Sequence, residues 1–415
     1  MVTKSAFVSL LPFWTFDFTL AQLASRCAPA LTNVACVDKF AAVMPLPFSR
    51  PASPSGEGLS DLDRFHITSV DDPSFTLVRD APFVVFNQKL GLDILGSAPT
   101  LEDVFTTDPV VHEAPIYVPE LNVIIVSQFN PNILDQVLIN LNNSPPTMEP
   151  FRPNPPIFGV NGGRFLNGTM YWAVAGGDAV VNGTPIVQAP GIYAIDPITR
   201  VSKPILNNYF GQRFNSPDDL VIDSAGDIFF TDPQYAFQMN LSQFAPVLNQ
   251  QTYRFRPSTG EVTLIEGEIG IPNGIALSPD EKTMYISDTS STDFVNHSPD
   301  VGFSYKSNAP KAVYAFDTVE SPAGKYLLNK RPLWFPSEFG ADGLHVSEDG
   351  NILGATGASV DIVTPAGELL VKIQANFTVI NVQFAGPNLD ELWLFGIGRI
   401  SRAKLNLKGL KGGRS

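Results

Sequence analysis

One local pattern occurs six times along this chain: a carboxylate or carboxamide residue, a short apolar run, a turn, and a second short apolar run. The openers are Glu113, Asn161, Asp218, Asn273, Asp342 and Asn381. They introduce EAPIYVPELNVIIVSQ, NGGRFLNGTMYWAVAG, DDLVIDSAGDIFFTDP, NGIALSPDEKTMYISD, DGLHVSEDGNILGATG and NVQFAGPNLDELWLFG. Strand–turn–strand units at intervals of roughly 40–70 residues read as blades that stack on one another in a β-propeller. Six units predict an all-β fold, a six-bladed β-propeller with an N-terminal extension. Because each polar opener begins an inner strand, the fold would gather all six around one axis, and that ring is the candidate site.

The bulk properties agree. Among 415 residues, apolar types make up 44% and charged types 16%, with 32 Gly and 36 Pro to punctuate many short strands. A net charge of −14 argues against a phosphate-backbone partner, so no nucleic acid is expected. No run approaches the roughly 20 apolar residues of a spanning helix, so no membrane span is expected. A closed propeller has no need to pair, which predicts a monomer.

Residues 1–60 read as a leader followed by the Pro/Ser/Gly-rich stretch MPLPFSRPASPSGEG, a linker by composition. Lys4, the apolar run AFVSLLPFWTF and the small residues LAQLAS resemble a signal peptide, interrupted by Pro12 and Asp17. Glycosylation sequons begin at Asn142, Asn167, Asn182, Asn240, Asn296 and Asn376, three of them followed directly by proline. These features favour the secretory pathway, with a cytoplasmic location as the alternative. Cys27 and Cys36 both lie in the extension, so the propeller has no thiol chemistry; a bridge and two free thiols are both open at this point.

Residues 61–110 form a strap before the propeller at 111–405, with 406–415 as a tail. The strap holds the β-like runs RFHITSV, SFTLVRD and PFVVFN, then the polar, helix-tolerant stretch SAPTLEDVF. A propeller must close its ring, so one of these N-terminal runs is expected to complete the blade begun at Asn381. Further runs such as GIYAID, QTYRFRP, AVYAFD and VDIVTPAGELLVKI supply outer strands. Longer insertions near 234–250 and 290–311 carry Tyr235, Phe237, Phe244, Phe294, Phe303 and Tyr305, and are expected to wall a pocket or to pack on one another.

No G-x-S-x-G elbow, no zinc-type spacing among the four histidines and no phosphate-cradling glycine loop is present. What remains is the ring of oxygen donors. Glu113, Asp218, Asn273 and Asp342 are ligand types that a hard divalent cation such as calcium prefers. Carboxylates crowded on an axis repel one another unless a cation neutralises them. The alternative is that the openers only hydrogen-bond neighbouring blades. His112 and His345 flank this set, and strand alternation turns both away from the neighbouring acids, towards packing between blades.

At these residues the chain resembles the gluconolactonase, regucalcin and senescence-marker-protein family, most closely its fungal lactonohydrolases. The resemblance rests on HEAPIY, LNNYFGQRFNSPDDLVID, IPNGIALSPD, ADGLHV and NVQFAGPNLDELW, in order between about residues 80 and 400. It implies a six-bladed propeller with a divalent cation, Ca2+ or another, on its axis and opening of a small-molecule lactone. Glu113, Asn273 and Asp342 correspond to the family's metal ligands, with Asp342 also the proposed general base. Asp218 stands where the family has the Asn of SPND; here the motif reads SPDD, which adds a charge and makes Asp218 a second candidate base. Asn161, Asn381 and His345 are the remaining candidates for substrate contact. Two rival readings stay open: a biosynthetic propeller of the strictosidine-synthase type, and a non-catalytic calcium-binding propeller.

Overall fold

The computed structural model describes residues 27–37, 77–78, 80–130, 133–181, 183–298, 302–306, 308–336 and 339–411, except the side chains of 181, 293–298 and 302–305. The leader, the MPLPFSRPASPSGEG linker, the RFHITSV run and most of SFTLVRD lie outside the described residues. So do Asn182 and the side chains of Asn296, Phe294, Phe303 and Tyr305.

Six sheets, each with a core of four antiparallel strands, form the blades. Blade 1 is Val111–Val118, Val123–Gln128, Gln136–Asn140 and Thr147–Phe151; blade 2 is Val160–Leu166, Thr169–Val174, Gly191–Ile195 and Ser202–Leu206. Blade 3 is Leu220–Ile222, Ile228–Asp232, Gln251–Arg256 and Glu261–Glu266; blade 4 is Pro272–Leu277, Thr283–Asp288, Val313–Val319 and Tyr326–Trp334. Blade 5 is Leu344–Val346, Ile352–Ala355, Ser359–Val363 and Leu369–Gln374. Blade 6 is Val379–Ala385, Glu391–Gly396 and Arg399–Lys404, completed by Thr100–Thr106. The first strands of successive blades touch in cyclic order, and blade 6 meets blade 1, so the expected six-bladed propeller is the fold.

Local sequence explains the blades. The second strand of blade 1, VIIVSQ, is buried along all but its last residue, because blades cover both faces of a sheet and favour unbroken β-branched runs over alternation. Asn167 and Gly168, at φ 49° and 80°, make the two-residue hairpin turn of blade 2 that needs positive φ at both central positions. Between blades, Phe230 and Tyr253 stack at 5.5 Å and Phe214 meets both edge-on with ring centroids 5.3 Å apart.

The closing strand is not one of the β-like runs. Thr100–Thr106, all but its last residue within the stretch read as helix-tolerant, pairs antiparallel with Arg399–Lys404. Its polar composition suits an exposed outermost strand, and cross-strand charges hold its register: Asp103 accepts from Arg399 at 2.5 Å and from Ser401 at 2.7 Å, and Arg402 pairs with Glu102. The PFVVFN run goes elsewhere. Phe83–Val85 pairs with Leu369–Gln374 on the outer edge of blade 5, and Val34–Cys36 adds in parallel beyond it.

Cys27 and Cys36 are joined by a disulfide. The helix Gln88–Leu95 starts at Asn87, whose side chain accepts from Leu90 N at 3.1 Å, and lies on this edge. A Cβ at Gly91 would fall 2.7 Å from Val85 Cγ1 and 3.1 Å from Leu370 O, so only glycine lets the helix approach so closely. No helix among the described residues is long and apolar enough to cross a membrane.

The insertions all leave from the ends of second strands, which is the end of the axis where the openers stand. They are a hairpin of Gly177–Val181 and Thr184–Gln188, the 234–250 loop beginning with the short helix Tyr235–Gln238, and a hairpin of Thr292–Ser298 and Gly302–Tyr305.

Candidate active site

Five of the six openers are buried and Asp342 is half-buried, and all six stand at one end of the axis. In cyclic order they read Glu113, Asn161, Asp218, Asn273, Asp342, Asn381, so carboxylates and carboxamides alternate around the ring. Each amide serves the carboxylate of the next blade. Asn161 Nδ2 donates to Asp218 Oδ1, and the carboxamides of Asn273 and Asn381 favour the ionised forms of Asp342 and Glu113, the carboxylates of the blades that follow them. Asp218, the departure from SPND, is what completes this alternation.

The backbone explains how the blades come this close. Asp218 N donates to Thr231 O at 2.9 Å, Asp342 N to Ala355 O at 2.8 Å, and Gly343 N crosses to Ile380 O of blade 6 at 2.9 Å. A glycine follows three of the openers. A Cβ at Gly162 would lie 2.1 Å from Asp218 O, one at Gly274 2.2 Å from Asp342 O, and one at Gly343 2.4 Å from Asn381 Oδ1. Any side chain there would push adjacent blades, and with them the openers, apart.

The loops that precede two openers are clamped from the end of the second strand of the same blade. Asp232 accepts from Asn215 N at 3.0 Å and Ser216 N at 2.7 Å; Asp288 accepts from Gly270 N at 3.3 Å and Ile271 N at 3.2 Å. These positioning acids were not singled out in the sequence, although their signal was there: FFTDP and YISDT each place an Asp directly after the second apolar run. Asp219 was likewise missed. It lies 3.4 Å from Arg164 Nη1 and accepts from Leu220 N and Ile275 N at 2.8 and 3.3 Å, while Arg164 Nη2 donates across the axis to Leu344 O at 3.2 Å.

Electrostatics on the axis are dominated by burial and like charge. Burial, then the Asp219 charge, pushes Glu113 up to about 8, with the Asn381 hydrogen bond opposing. Burial and the charges of Glu113, Asp342, Asp219 and Asp232 push Asp218 well above the usual carboxylate range. Asp342 is raised likewise by burial and by Glu113, against its bond from Asn273. Arg164 is the cation that faces this group, and its nearest carboxylate is Asp219.

His112 departs from strand alternation. The register shifts around Glu113 and the positive φ of Ala114, 48°, break the alternation, so His112 Nδ1 lies 3.6 Å from Glu113 Oε1 rather than on the opposite face. Burial lowers His112 to about 4, which makes it a neutral neighbour. His345 is completely buried three residues along the strand from Asp342; burial and the Arg164 charge hold it neutral, and both ring nitrogens are without hydrogen-bond partners. Tyr235, from the 234–250 insertion, reaches the ring itself: Asn273 Nδ2 donates to its hydroxyl at 3.0 Å.

Among the described residues, no three groups drawn from His, Cys, Asp and Glu close on a point as an acid-only metal site. The alternation accounts for this, since an amide separates each acid from the next. The donor chemistry still fits a hard cation: Asp218 Oδ2 is buried with no hydrogen-bond partner, in a ring with the buried Glu113, the half-buried Asp342 and the carboxamide of Asn273.

Residues 169–396 match the SMP-30/Gluconolactonase/LRE-like region, and the chain belongs to that family. It is 39% identical to the lactonohydrolase oryL of Aspergillus oryzae over 94% of this chain and 89% of that protein. The lactonohydrolase oryH of the same organism is 34% identical over 91% of each chain. A gluconolactonase structure from Xanthomonas campestris shares the fold at a TM-score of 0.61 and 20% identity, covering 77% of this chain and 94% of that one.

Proposed function

We propose that the protein is a divalent-cation-dependent lactone hydrolase, converting a small-molecule lactone and water to the hydroxy acid. The observation that carries this reading is the alternating ring, which concentrates three carboxylates, two buried and one half-buried, around one end of the axis with amides between them. The full-length similarity to two lactonohydrolases supports the reaction class.

Glu113, Asp218, Asn273 and Asp342 would hold the cation, calcium or a similar ion. When bound, that ion supplies Lewis acidity at the lactone carbonyl and offsets the charge that builds on its oxygen. The chain's own residues do the rest. Asp342 accepts a proton from the attacking water as the water oxygen bonds to the carbonyl carbon. The ring C–O bond then breaks, and the proton passes to the leaving alkoxide to give the hydroxyl. Asp218, with Oδ1 held by Asn161 and Oδ2 without a partner, is the second candidate base. Asn161 and Asn381 orient carboxylates, and the opener-end insertions keep bulk water from the reacting carbon.

The disulfide between Cys27 and Cys36, with the exposed Asn167 sequon, favours a secretory route over the cytoplasm. A blade 6 closed by Thr100–Thr106 suits a monomer.

The test is hydrolysis across a panel of aldonolactones, pantolactone and larger lactones, before and after exhaustive chelation. Activity lost with chelator and restored by calcium supports the reading. Chelator-resistant hydrolysis, or metal-independent condensation instead of hydrolysis, overturns it.

A further inference from the structure

We propose that Tyr235 and Thr289 form a hydroxyl relay that fixes which way the Asn273 carboxamide faces, making Tyr235 a positioning residue for cation binding. The proposal rests on the cation-dependent reading above. Both relay residues are buried; Tyr235 opens the 234–250 insertion, and Thr289 stands where the other insertion leaves blade 4.

The direction of the relay follows from counting protons. Thr289 Oγ1 donates to Ile271 O at 3.2 Å. Either hydroxyl could donate in the 2.5 Å contact between Thr289 and Tyr235; with the threonine proton on Ile271 O, the relay takes the tyrosine as its donor. With its own proton committed, the Tyr235 oxygen accepts from Asn273 Nδ2 at 3.0 Å. Nδ2 is thereby engaged, and Oδ1 is left as the atom able to ligate a cation. A flipped amide would set Oδ1 against a tyrosine oxygen whose proton is committed, placing acceptor against acceptor.

The other two ring amides are arranged differently. Asn381 Oδ1 accepts from Val382 N at 2.9 Å, and Asn161 uses Nδ2 on Asp218. Asn273 is therefore the amide whose oxygen the surrounding hydroxyls set aside for a ligand. Hydrogen bonds that orient a ligand from behind are worth about 10–100-fold in metal affinity.

Calcium affinity of the full chain by titration calorimetry, with cation-free melting temperature, tests this on Tyr235→Phe, Thr289→Val and Thr289→Ser. Tyr235→Phe keeps the ring packing and is expected to weaken calcium binding about tenfold. Thr289→Val should weaken it by less, and Thr289→Ser, which keeps the hydroxyl, should restore wild-type affinity. If Tyr235→Phe does not fold, Thr289→Val against Thr289→Ser decides alone. A merely structural tyrosine would lower the melting temperature and leave calcium affinity within twofold of wild type, which overturns the relay but not the hydrolase reading. A wild-type chain that binds no divalent cation overturns both.

Discussion

Buried carboxylates occur in two regions of this molecule, and their surroundings are opposite. Within the blades Asp361, Asp223 and Asp227 each face a cation. Lys372 Nζ lies 2.6 Å from Asp361 Oδ1 and 2.8 Å from Ser359 Oγ, on the directly paired strands of blade 5. Lys325 reaches Asp223 at 2.7 Å, and Arg256 reaches Asp227 at 2.8 Å. On the axis, Glu113, Asp218 and Asp342 have amides beside them instead, and burial and like charge raise each pKa, Asp219 acting on Glu113 and Glu113 acting on Asp218 and Asp342. Asp361, Asp223 and Asp227 have their counter-charge in the sequence; the carboxylates of the ring must take it from outside the chain or remain protonated.

Substitutions should therefore act in opposite ways in the two regions. Asp342→Ala is expected to lower lactone turnover about a thousandfold, the range of a lost general base, while the cation-free protein melts no lower than wild type. Full activity in that variant would move the base assignment to Asp218. Lys372→Met should do the reverse, costing about 3–5 kcal/mol in denaturant unfolding because Asp361 is left buried and charged, with little change in turnover per folded molecule.

Asp218→Asn is a finer probe, since an amide oxygen there can still accept from Asn161 while one repulsive charge disappears. The cation-free fold should gain about 1–3 kcal/mol, and calcium affinity should fall. Unchanged stability would mean that the axial charges are already relieved.

Acidity gives the same contrast a sign. Glu113, raised from 4.5 to about 8, and Asp232, raised from 3.8 to about 7, hold protons in the folded state that the unfolded chain has released. Their contribution to stability is complete below the unfolded values and is lost as pH rises through the folded ones. The cation-free protein should accordingly become easier to unfold between pH 5 and pH 9 by a few kcal/mol, and saturating calcium should flatten that decline. The smallest effect belongs to the closing strand. Arg399 and Asp103 are both about two-fifths exposed, so Arg399→Ala should cost less than about 1 kcal/mol by thermal melting.

How much of this could be read from residues alone depended on locality. The six openers were legible because each heads a short repeat, and repetition survives without knowledge of contacts. The closing strand was not, because TLEDVF carries too little apolar character to declare itself; its strand state comes from hydrogen bonds to residues about three hundred positions away. His112 was assigned to the wrong face because a register shift is invisible in the alternation it interrupts. The clamp by Asp232 was half visible, as a recurring Asp after a second strand whose partners lie on a different loop.

By itself, then, the order of residues determined six strand-turn-strand units, a polar residue at the head of each and a glycine behind three of them, since these depend on neighbours in the chain. Which amide serves which acid, that Tyr235 and Thr289 back Asn273, and that the ring's carboxylates have no Lys372 of their own were decided only when the blades closed into a ring. Hydrogen-bond direction and charge balance are properties of groups distant in sequence, and they exist only once closure has brought those groups within a few ångströms of each other.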